Sequence, residues 1–595
     1  MRALFNTLIA LVALFAMASS AFAMRDNDGG GTTCAVCTVV VGLAQQMQDL
    51  ATESAAYKRF VPARQIAAAY CNNMAADSGL NKICKHFFFN SIAGPGLMRA
   101  IDASYFSQAP ISADQICRSA GFCTNSKCNL FSKMSRSLGG SSMAAVDVEQ
   151  MASPEEDVDP AVFSEDAVAE REELVRSLCA TRTFAPFCNW GMEGDTHTAP
   201  LVDQDKDGIG PTDGSQVVVR GSQWRGADCD DKNPNVYPGR KATTLDAKVD
   251  HDCNGVVGID SATKRSYEDL FCSGFRRMGV IGIGDSATAH FHIPDTWLNA
   301  TTISREAFDS LTFIATNELD WPQQSTASSF VTSPHRDCPG PLDSIYGRLR
   351  ERNLCNHRDF QNIGVNGADV VSTVRHIKTL ARNKASDHPV LVLFALIGND
   401  ICSSNPSVSS MTTPQQFEAS VRESLKYLDE NTPAGSKVLI EGIVDGRVLY
   451  QHMHDQIHPL GVKFSTLYDY LNCLKISPCA GWLNSNADVR NASSNHAAKL
   501  NDVYRSILKN TTFRNIEVDY IDYPIAELIT RWVSRGGKAV DLIDNVDGFH
   551  PSQVTNALLS EYVWEFLMNK HPSWLGDLNP NNSQIRRLFG DQGGY

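Results

Sequence analysis

Three side chains in this sequence have the types and settings that nucleophilic catalysis requires. Ser286 closes a Gly-Asp-Ser triplet directly after the apolar run Val280–Ile283, and a helix-compatible segment follows. A buried strand that leads through a sharp turn into a helix can present a serine as a nucleophile. Far downstream, His550 follows Asp547 by three positions, just before the predicted helix Gln553–Asn569. Since a histidine can take the serine proton and an aspartate can orient the histidine, the three residues are candidates for covalent acyl transfer.

The triplet alone is more typical of an ordinary helix start, because Gly and Asp favour turns and Ser favours N-caps. Two further turns decide between these interpretations. Gly398-Asn399-Asp400 ends the apolar run Val390–Ile397, and Asn362–Gly367 precedes the helical pattern Ala368–Ala381. The carboxyl ends of buried parallel strands are where α/β enzymes place their ligands. The order of strand, turn, strand, turn and terminal histidine therefore favours a catalytic Ser286.

Four blocks of the sequence resemble those of the GDSL/SGNH hydrolases. The blocks are Gly284-Asp285-Ser286, Gly367, Gly398-Asn399-Asp400 and the stretch from Asp547 to His550. Ala287 stands where the family name has Leu, a departure that leaves the reacting groups unchanged. The resemblance implies ester hydrolysis, with Ser286 as nucleophile, His550 as base and Asp547 holding His550 in the useful tautomer. It also implies an oxyanion hole made by the backbone N–H groups of Ser286 and Gly367 and the side-chain amide of Asn399.

Apolar runs alternate with longer helical patterns from residue 266 to residue 595. The further runs Val438–Val444 and Ile516–Ile521 alternate with the predicted helices Phe417–Leu428 and Ala497–Leu508. Such alternation predicts a parallel sheet with helices on both faces. Residues 266–595 are therefore expected to form the GDSL/SGNH lipase domain, a three-layer α/β/α fold.

Length and composition limit the remaining possibilities. A chain of 595 residues exceeds what one core usually supports, so two to four domains are expected. The net charge of −14 argues against a nucleic-acid partner. Residues 1–23 contain the apolar run Leu8–Met17 and end in Ala21-Phe22-Ala23, which is typical of a cleaved signal peptide. The sequence therefore predicts a secreted protein or one of an endolysosomal or vesicular lumen.

An exported chain permits disulfides and glycans. The 17 cysteines are an odd number, so one thiol is expected to be free or paired with another molecule. Four sequons are candidate glycosylation sites, at Asn299, Asn491, Asn510 and Asn581.

Six of the cysteines lie on segments with helical spacing near the start of the mature chain. They are Cys34, Cys37, Cys71, Cys84, Cys117 and Cys123. Zinc binding and thiol redox chemistry are less favoured, because no second Cys/His pair at finger spacing and no preceding strand accompany the first two. Residues 30–130 resemble a saposin B-type lipid-binding domain. This resemblance implies the pairs Cys34–Cys123, Cys37–Cys117 and Cys71–Cys84, whereas spacing alone allows fifteen pairings. A small stapled bundle with an ordinary core is the alternative to lipid binding.

Residues 131–175 read as an acidic linker or propeptide. Between Asp147 and Glu173 there are eleven acidic residues and one basic residue, Arg171. Such a segment cannot bury enough apolar surface to fold. The chain resembles secreted lipases in which a saposin-type domain precedes a GDSL/SGNH domain. This resemblance implies that the precursor is cut here into two disulfide-linked subunits, with Cys128 as the natural tether.

Residues 176–265 are rich in oxygen ligands. The candidate ligands are Asp203, Asp205, Asp207, Ile209 through its carbonyl, Asp228, Asp230, Asp231, Asn233, Asp250, Asp252 and Asn254. Gly214 occupies the position of the twelfth-position Glu of an EF-hand, which excludes a true EF-hand. Clustered carboxylates repel one another unless a hard cation binds them, and Ca²⁺ takes more protein oxygens than Mg²⁺ does. The pattern predicts structural calcium, with a solvated acidic loop as the alternative.

The joined architecture resembles secreted lipases that remove secondary fatty acyl chains from lipid A of bacterial lipopolysaccharide. The resemblance implies a lipid substrate met at a membrane or micelle surface, to which the protein is peripheral. Two alternatives stay open at this point. One is a general secreted phospholipase or lipase on the same fold, since the four blocks specify ester hydrolysis and not the alcohol or the acyl chain. The other is a non-enzymatic lipid carrier.

Overall fold

The computed structural model describes residues 31–53, 62–64, 93–106, 111–131, 199–200, 202–211, 221–242, 246–302, 310, 313–314 and 317–595. The chain divides into two compact units. Unit 1 comprises Met1–Met192, Ile293–Ala315 and Met453–Ser477, and unit 2 comprises Glu193–His292, Thr316–His452 and Pro478–Tyr595. The predicted signal peptide, most of the acidic linker, and Cys71 and Cys84 lie outside the described residues.

The helices and strands are numbered in chain order. The α-helices are α1 (Gly31–Glu53), α2 (Ala93–Phe106), α3 (Ala113–Ser119), α4 (Tyr267–Phe271), α5 (Ser286–Ala289), α6 (Ile345–Arg352), α7 (Val370–His376), α8 (Pro414–Asn431), α9 (Arg447–Met453), α10 (Phe464–Cys473), α11 (Ala487–Asn510), α12 (Ile525–Ser534), α13 (Gln553–Lys570) and α14 (Asn582–Phe589). The strands are β1 (Gly279–Gly284), β2 (Phe360–Asn362), β3 (Val390–Ala395), β4 (Ser436–Glu441) and β5 (Ile516–Ile521).

Unit 2 is built on a parallel sheet of five strands in the order β2-β1-β3-β4-β5. Every residue of β1, β3 and β4 is buried, as the continuous apolar runs predict for strands covered on both faces. The register pairs Gly284 at the end of β1 with Ala395 at the end of β3. This pairing brings the Gly-Asp-Ser turn and the Gly-Asn-Asp turn to neighbouring positions at the carboxyl edge of the sheet.

Helices cover the sheet as layers, which confirms the predicted α/β class. The sheet shares one core with α6, α12 and α13, through residues such as Leu391, Leu528 and Leu558. Helix α8 contacts both α7 and α11. Helix α8 starts at a capping box in which Thr413 accepts the Gln416 N–H, with Pro414 at the first helical position. Its buried residues Phe417 and Val421 lie on one helical face.

Part of the acidic segment, defined here as the oxygen-rich residues 176–265, covers the edge of the sheet next to β2. Arg225 forms an antiparallel bridge with Gln361, and the Gly226 N–H donates to the Phe360 carbonyl at 3.0 Å. The buried Arg225 guanidinium also donates to the Gln361 side-chain oxygen at 2.6 Å. Because an open strand edge presents unpaired backbone groups, this cover protects β2.

The helical part of unit 1 is held by disulfides. Helix α1 contacts α2 and α3, and bridges join Cys34 to Cys123 and Cys37 to Cys117. Val40, Val41, Ala44 and Met47 are all buried, as their helical spacing predicts.

Residues 453–477 belong to the same unit, although the sequence predicts a helical domain of residues 30–130 alone. A disulfide joins Cys128 to Cys473 at the end of α10. The Gln46 side-chain amide donates to the Leu460 carbonyl at 2.8 Å, and the Tyr470 hydroxyl lies 3.6 Å from the Cys34 Sγ. Among the described helices, none is long and apolar enough to cross a bilayer.

Candidate active site and candidate metal centre

Ser286 stands at the first position of α5, directly after β1. Asp285 is the N-cap of this helix, and its Oδ1 accepts the Ala287 N–H at 3.0 Å. Gly364 in the turn after β2 lies against the helix, since a Cβ at that position would be 2.6 Å from the Ala289 nitrogen. The strand end, the cap and the close turn together place the serine side chain at the edge of the sheet.

The structure brings Ser286, His550 and Asp547 together across 264 positions of the chain. The His550 Nε2 lies 2.7 Å from the Ser286 Oγ, and its Nδ1 lies 2.5 Å from the Asp547 Oδ2. The Asp547 Oδ1 accepts the N–H groups of Phe549 and His550 at 2.8 and 2.9 Å. Gly548 takes a positive φ of 62°, which lets the short loop fold the carboxylate back onto the ring.

The electrostatics of these groups suit a base and its orienting partner. Burial by itself would lower the pKa of His550, but the adjacent Asp547 carboxylate outweighs burial and the pKa is raised. Burial likewise opposes ionisation of Asp547, yet the His550 ring and the hydrogen bonds to Asp547 hold its pKa below the ordinary value. Asp547 therefore stays charged beside the imidazole.

Asp285 connects the nucleophile turn to the Gly-Asn-Asp turn. Its Oδ2 accepts the N–H groups of Ile397 and Gly398 at 2.9 and 3.1 Å. Burial raises the pKa of Asp285 to about 6. The next turn is anchored in a similar way, because the Asp400 carboxylate accepts the Val370 N–H at the start of α7. Through these contacts Asp285 holds the two turns together.

The predicted oxyanion donors differ in placement. Asn399 is half-buried and lines the same cleft as Ser286 and His550. Gly367 has a φ of 77° and is exposed, and among the described residues that line the cleft it does not appear. Their roles at the oxyanion stay predictions. No motif in the sequence indicates Gly364 in the same turn, and its only signal is that the turn contains two glycines.

The cleft beside Ser286 is mainly apolar and holds about 570 Å³ of space that opens to solvent. Its walls include Val444, Val448, Leu449, Trp482, Tyr523, Ile525, Leu542, Ile543 and Phe549. Apolar walls with few polar groups at one end are typical of a site that buries a hydrocarbon chain.

Two histidines after the nucleophile have different environments. His290 is buried, its Nδ1 lies 3.3 Å from the Trp321 carbonyl, and burial lowers its pKa to about 3. His292 instead pairs with Asp544. No motif in the sequence indicates this pair.

One group of carboxylates can hold a metal ion. Asp203, Asp205, Asp207, Asp228 and Asp231 form overlapping sets in which ligand oxygens lie within 4.8 Å of one another. Four of these residues have a buried carboxylate oxygen without a hydrogen-bond partner: Asp205, Asp207, Asp228 and Asp231. Burial and mutual repulsion raise the pKa of Asp207 to about 8 and that of Asp228 to about 7. Converging, unpaired oxygens of this kind fit a hard cation.

The remaining predicted ligands lie elsewhere. Asp250 and Asp252 group with Asp246, which the sequence did not indicate. The carboxylates of this second group already have partners, because Asp252 pairs with the buried Arg277 guanidinium and the Asp246 Oδ1 lies 2.6 Å from the His251 Nδ1. The Asn254 amide donates to the Asp252 and Glu268 carboxylates at 3.0 and 3.1 Å. Asp230 is exposed, the Asn233 Oδ1 accepts the Asn235 N–H at 3.3 Å, and the buried Ile209 donates its N–H to Asp207 at 2.9 Å.

The four sequon asparagines also differ in exposure. Asn491 and Asn510 are exposed, and Asn299 is half-buried. The Asn581 side-chain nitrogen, the atom that would carry a glycan, donates to the Phe271 carbonyl at 3.2 Å. Among the described cysteines, Cys338 is in no disulfide and is buried; the other bridges are Cys229–Cys253, Cys272–Cys355 and Cys402–Cys479.

The sheet, the Ser-His-Asp geometry and the apolar cleft together define an ester hydrolase. Residues 280–563 match the family of GDSL-like lipases and acylhydrolases, and residues 228–258 match a putative metal-binding motif. The chain is 34% identical to mouse acyloxyacyl hydrolase over 591 residues, which cover 96% of this chain and 95% of the mouse protein. It is 41% identical to the human and 40% to the rabbit acyloxyacyl hydrolase, in each case over 70% of this chain and 72% and 73% of those proteins. The chain belongs to the acyloxyacyl hydrolase family.

Proposed function

We propose that this hydrolase removes secondary fatty acyl chains, those esterified to other acyl chains, from lipid A of bacterial lipopolysaccharide. The proposal is based on the apolar cleft that opens beside Ser286, whose Oγ lies 2.7 Å from the His550 Nε2. The cleft suits a fatty acyl chain, and the relatives' name specifies an acyl chain carried on another acyl chain. A signal peptide at residues 1–23 would deliver the enzyme to the secretory pathway or an endolysosomal lumen.

The reaction follows from the placement of three side chains. Ser286 attacks the ester carbonyl as His550 takes the Oγ proton, and Asp547 holds the imidazole with its Nε2 toward the serine. The backbone N–H of Ser286 and the side-chain amide of Asn399 stabilise the oxyanion, with the Gly367 N–H as a third donor. His550 then returns the proton to the leaving hydroxyl. A water molecule, activated by the same imidazole, releases the fatty acid from Ser286.

Calcium is the metal that we assign to the cluster of Asp203, Asp205, Asp207, Asp228 and Asp231. Oxygen donors alone, several of them unpaired and buried, fit Ca²⁺ better than zinc or copper. The ion has a structural role, because the acidic segment that carries the cluster also covers the edge of β2. Serine chemistry itself requires no metal.

The disulfide-bonded helices of unit 1 supply lipid contact in this proposal. Helices α1 to α3 resemble part of a saposin B-type domain, which would hold the lipid at a membrane or micelle surface. The acidic linker at residues 131–175 would be cut, and the Cys128–Cys473 bridge would keep the two subunits joined.

The test is mass spectrometry of lipid products. Purified lipopolysaccharide and phosphatidylcholine are incubated separately with the wild-type protein and with Ser286→Ala. We expect wild type to release secondary acyl chains from lipid A and to leave the primary chains in place, and we expect no release by the variant. Release from phosphatidylcholine at a greater rate than from lipid A would favour a general phospholipase. Undiminished release by Ser286→Ala would exclude the proposed nucleophile.

A further inference from the structure

The segment after the nucleophile and the loop that carries the proposed catalytic histidine are joined by a second histidine–aspartate pair. The His292 Nδ1 lies 2.5 Å from the Asp544 Oδ2. The Asp544 side chain is 1% exposed and that of His292 is 13% exposed. His292 lies six residues after Ser286, and Asp544 lies six residues before His550. The pair thus connects the two parts of the chain that must meet for catalysis.

Asp544 closes the loop from residue 544 to residue 550 by several hydrogen bonds. Its Oδ1 accepts the N–H groups of Val546 and Asp547 at 2.8 and 3.0 Å. Its own N–H donates to the His550 carbonyl at 2.9 Å, and its carbonyl accepts the Gly548 N–H at 3.0 Å. Asp544 therefore contacts both proposed triad members of the loop, Asp547 through its side chain and His550 through its backbone.

The hydrogen bonds of His292 define the total charge of the His292–Asp544 pair. Its Nε2 lies 2.9 Å from the Asp337 carbonyl, which can only accept, so the Nε2 carries a proton. The Nδ1 faces a carboxylate oxygen, and the contact requires one shared proton between them. Whichever atom holds that proton, the two side chains are together neutral. Burial alone would lower the pKa of His292, but the Asp544 carboxylate outweighs burial and raises it, which agrees with a doubly protonated ring.

We propose that His292 is a positioning residue that locks the His550 loop to the nucleophile segment and neutralises Asp544, so that Asp547, 2.5 Å from the His550 Nδ1, is the main anionic partner of His550. This inference rests on the proposed roles of Ser286 and His550. Without a charge on His292, the Asp544 carboxylate would stabilise a protonated His550, and a protonated base cannot accept the serine proton. The other ionisable groups that face the pair are His290 on the same segment, Asp547 and His550 on the loop, and Asp337 and Cys338 on the neighbouring turn.

The experiment compares His292→Gln with the double variant His292→Gln/Asp544→Asn. Initial rates on p-nitrophenyl butyrate are measured against pH, and kcat/KM is fitted for its acid limb, which reports the base of the free enzyme. Glutamine keeps one donor but removes the charge, so the acid limb of His292→Gln is expected to move upward by about half a pH unit or more, with kcat falling roughly tenfold. In the double variant an amide pair replaces the ion pair, and the acid limb is expected to return to the wild-type position.

The surface pair His454–Asp455, with nitrogen and oxygen 3.0 Å apart and side chains 40% and 63% exposed, provides the matched control. His454→Gln should leave both the rate and the acid limb unchanged. A fall in kcat of His292→Gln without movement of the limb would show a purely structural role and overturn the charge assignment. A double variant whose limb stays shifted would overturn it as well.

A measurement on the unmutated protein keeps the inference testable if His292→Gln does not fold. Nitrogen-15 NMR of labelled histidine at neutral pH is expected to show both ring nitrogens of His292 protonated. A single protonated nitrogen would place the shared proton on Asp544 and contradict the charge assigned to His292. These failures are distinct from failure of the proposed function, because Ser286→Ala that retains activity would refute the triad itself, whereas an inactive Ser286→Ala with a singly protonated His292 refutes only the positioning role.

Discussion

At the scale of single residues, the proposed chemistry requires the accurate placement of a few atoms. The distances of 2.7 and 2.5 Å from the His550 nitrogens to Ser286 and Asp547 are already those of working hydrogen bonds. The oxyanion donors contribute differently, because they act only on the charge that develops in the transition state. Loss of a donor and loss of the nucleophile should therefore differ by orders of magnitude.

Asn399→Ala is expected to lower kcat about 10²- to 10³-fold while KM changes little, because the amide binds the transition state and not the ground state. Ser286→Ala should lower kcat about 10⁶-fold. Steady-state kinetics on a soluble ester measure both. Asn405→Ala, at an exposed position of the following loop, is the control and should match wild type. Equal activity of Asn399→Ala and wild type would remove Asn399 from the oxyanion hole.

At the scale of elements, the fold could be predicted where one segment carries its own signal. The runs that form β1, β3, β4 and β5 are apolar or alternate with clear helical patterns. Strand β2 has only three residues, Phe360–Asn362, and two of them are polar amides, so no run marks it. Its place beside β1 is defined by pairing with distant residues. The same reason applies to the turn after β2, where the sequence indicates Gly367 but not Gly364, because the close approach of Gly364 to α5 is a tertiary property.

Gly364→Ala is expected to destabilise the fold by about 1 to 3 kcal/mol, because the added methyl group would overlap backbone atoms of Asp285 and Ala289. The fall in activity should exceed what the loss of folded protein explains, since α5 carries Ser286 at its first position. Thermal unfolding and ester hydrolysis at a temperature where the variant is folded measure the two effects. Gly96→Ala is the control, because a Cβ there meets no atom within 4 Å and alanine favours the helix. A Gly364→Ala variant as stable and active as wild type would contradict the close approach.

The acidic segment is an element whose stability should depend on calcium. An ion that binds only the folded state adds about 2.7 kcal/mol at a concentration 100 times its Kd. We therefore expect a chelator to lower the Tm by several degrees and added Ca²⁺, but not equimolar Mg²⁺, to restore it. Asp207→Asn should abolish this response. Asp230→Asn should keep it, since Asp230 is exposed and outside the carboxylate groups found among the described residues. A Tm that does not change on chelation would exclude bound calcium and favour the alternative of a solvated acidic loop.

At the scale of the whole molecule, domain boundaries follow contacts that no local pattern records. The segment Met453–Ser477 joins unit 1, although more than 300 residues separate it from α1. Within it, helix α10 buries Phe464, Leu467 and Tyr468, and this pattern alone does not specify the unit against which the helix packs. The cysteines gave a partial signal: Cys128 stands outside the six of the saposin-like set, which indicated a tether but not its partner. A pairing across 345 positions depends on the folded chain alone.

The Cys128–Cys473 bridge predicts how the molecule responds to a cut in the acidic linker. Besides this disulfide, the chain just before the linker is fixed by Asp114, whose carboxylate accepts the N–H groups of Leu130 and Phe131 at 2.8 Å. With a protease site inserted between residues 147 and 173, cleavage should yield one species on a non-reducing denaturing gel and two after reduction. Cys128→Ser/Cys473→Ser should release the fragment without reduction, because denaturant removes every contact except disulfides. The control variant Cys229→Ser/Cys253→Ser, which lacks a bridge across only 24 positions, should still give one species on the non-reducing gel after cleavage. If the Cys128→Ser/Cys473→Ser protein also stays joined after cleavage, another bridge connects the subunits.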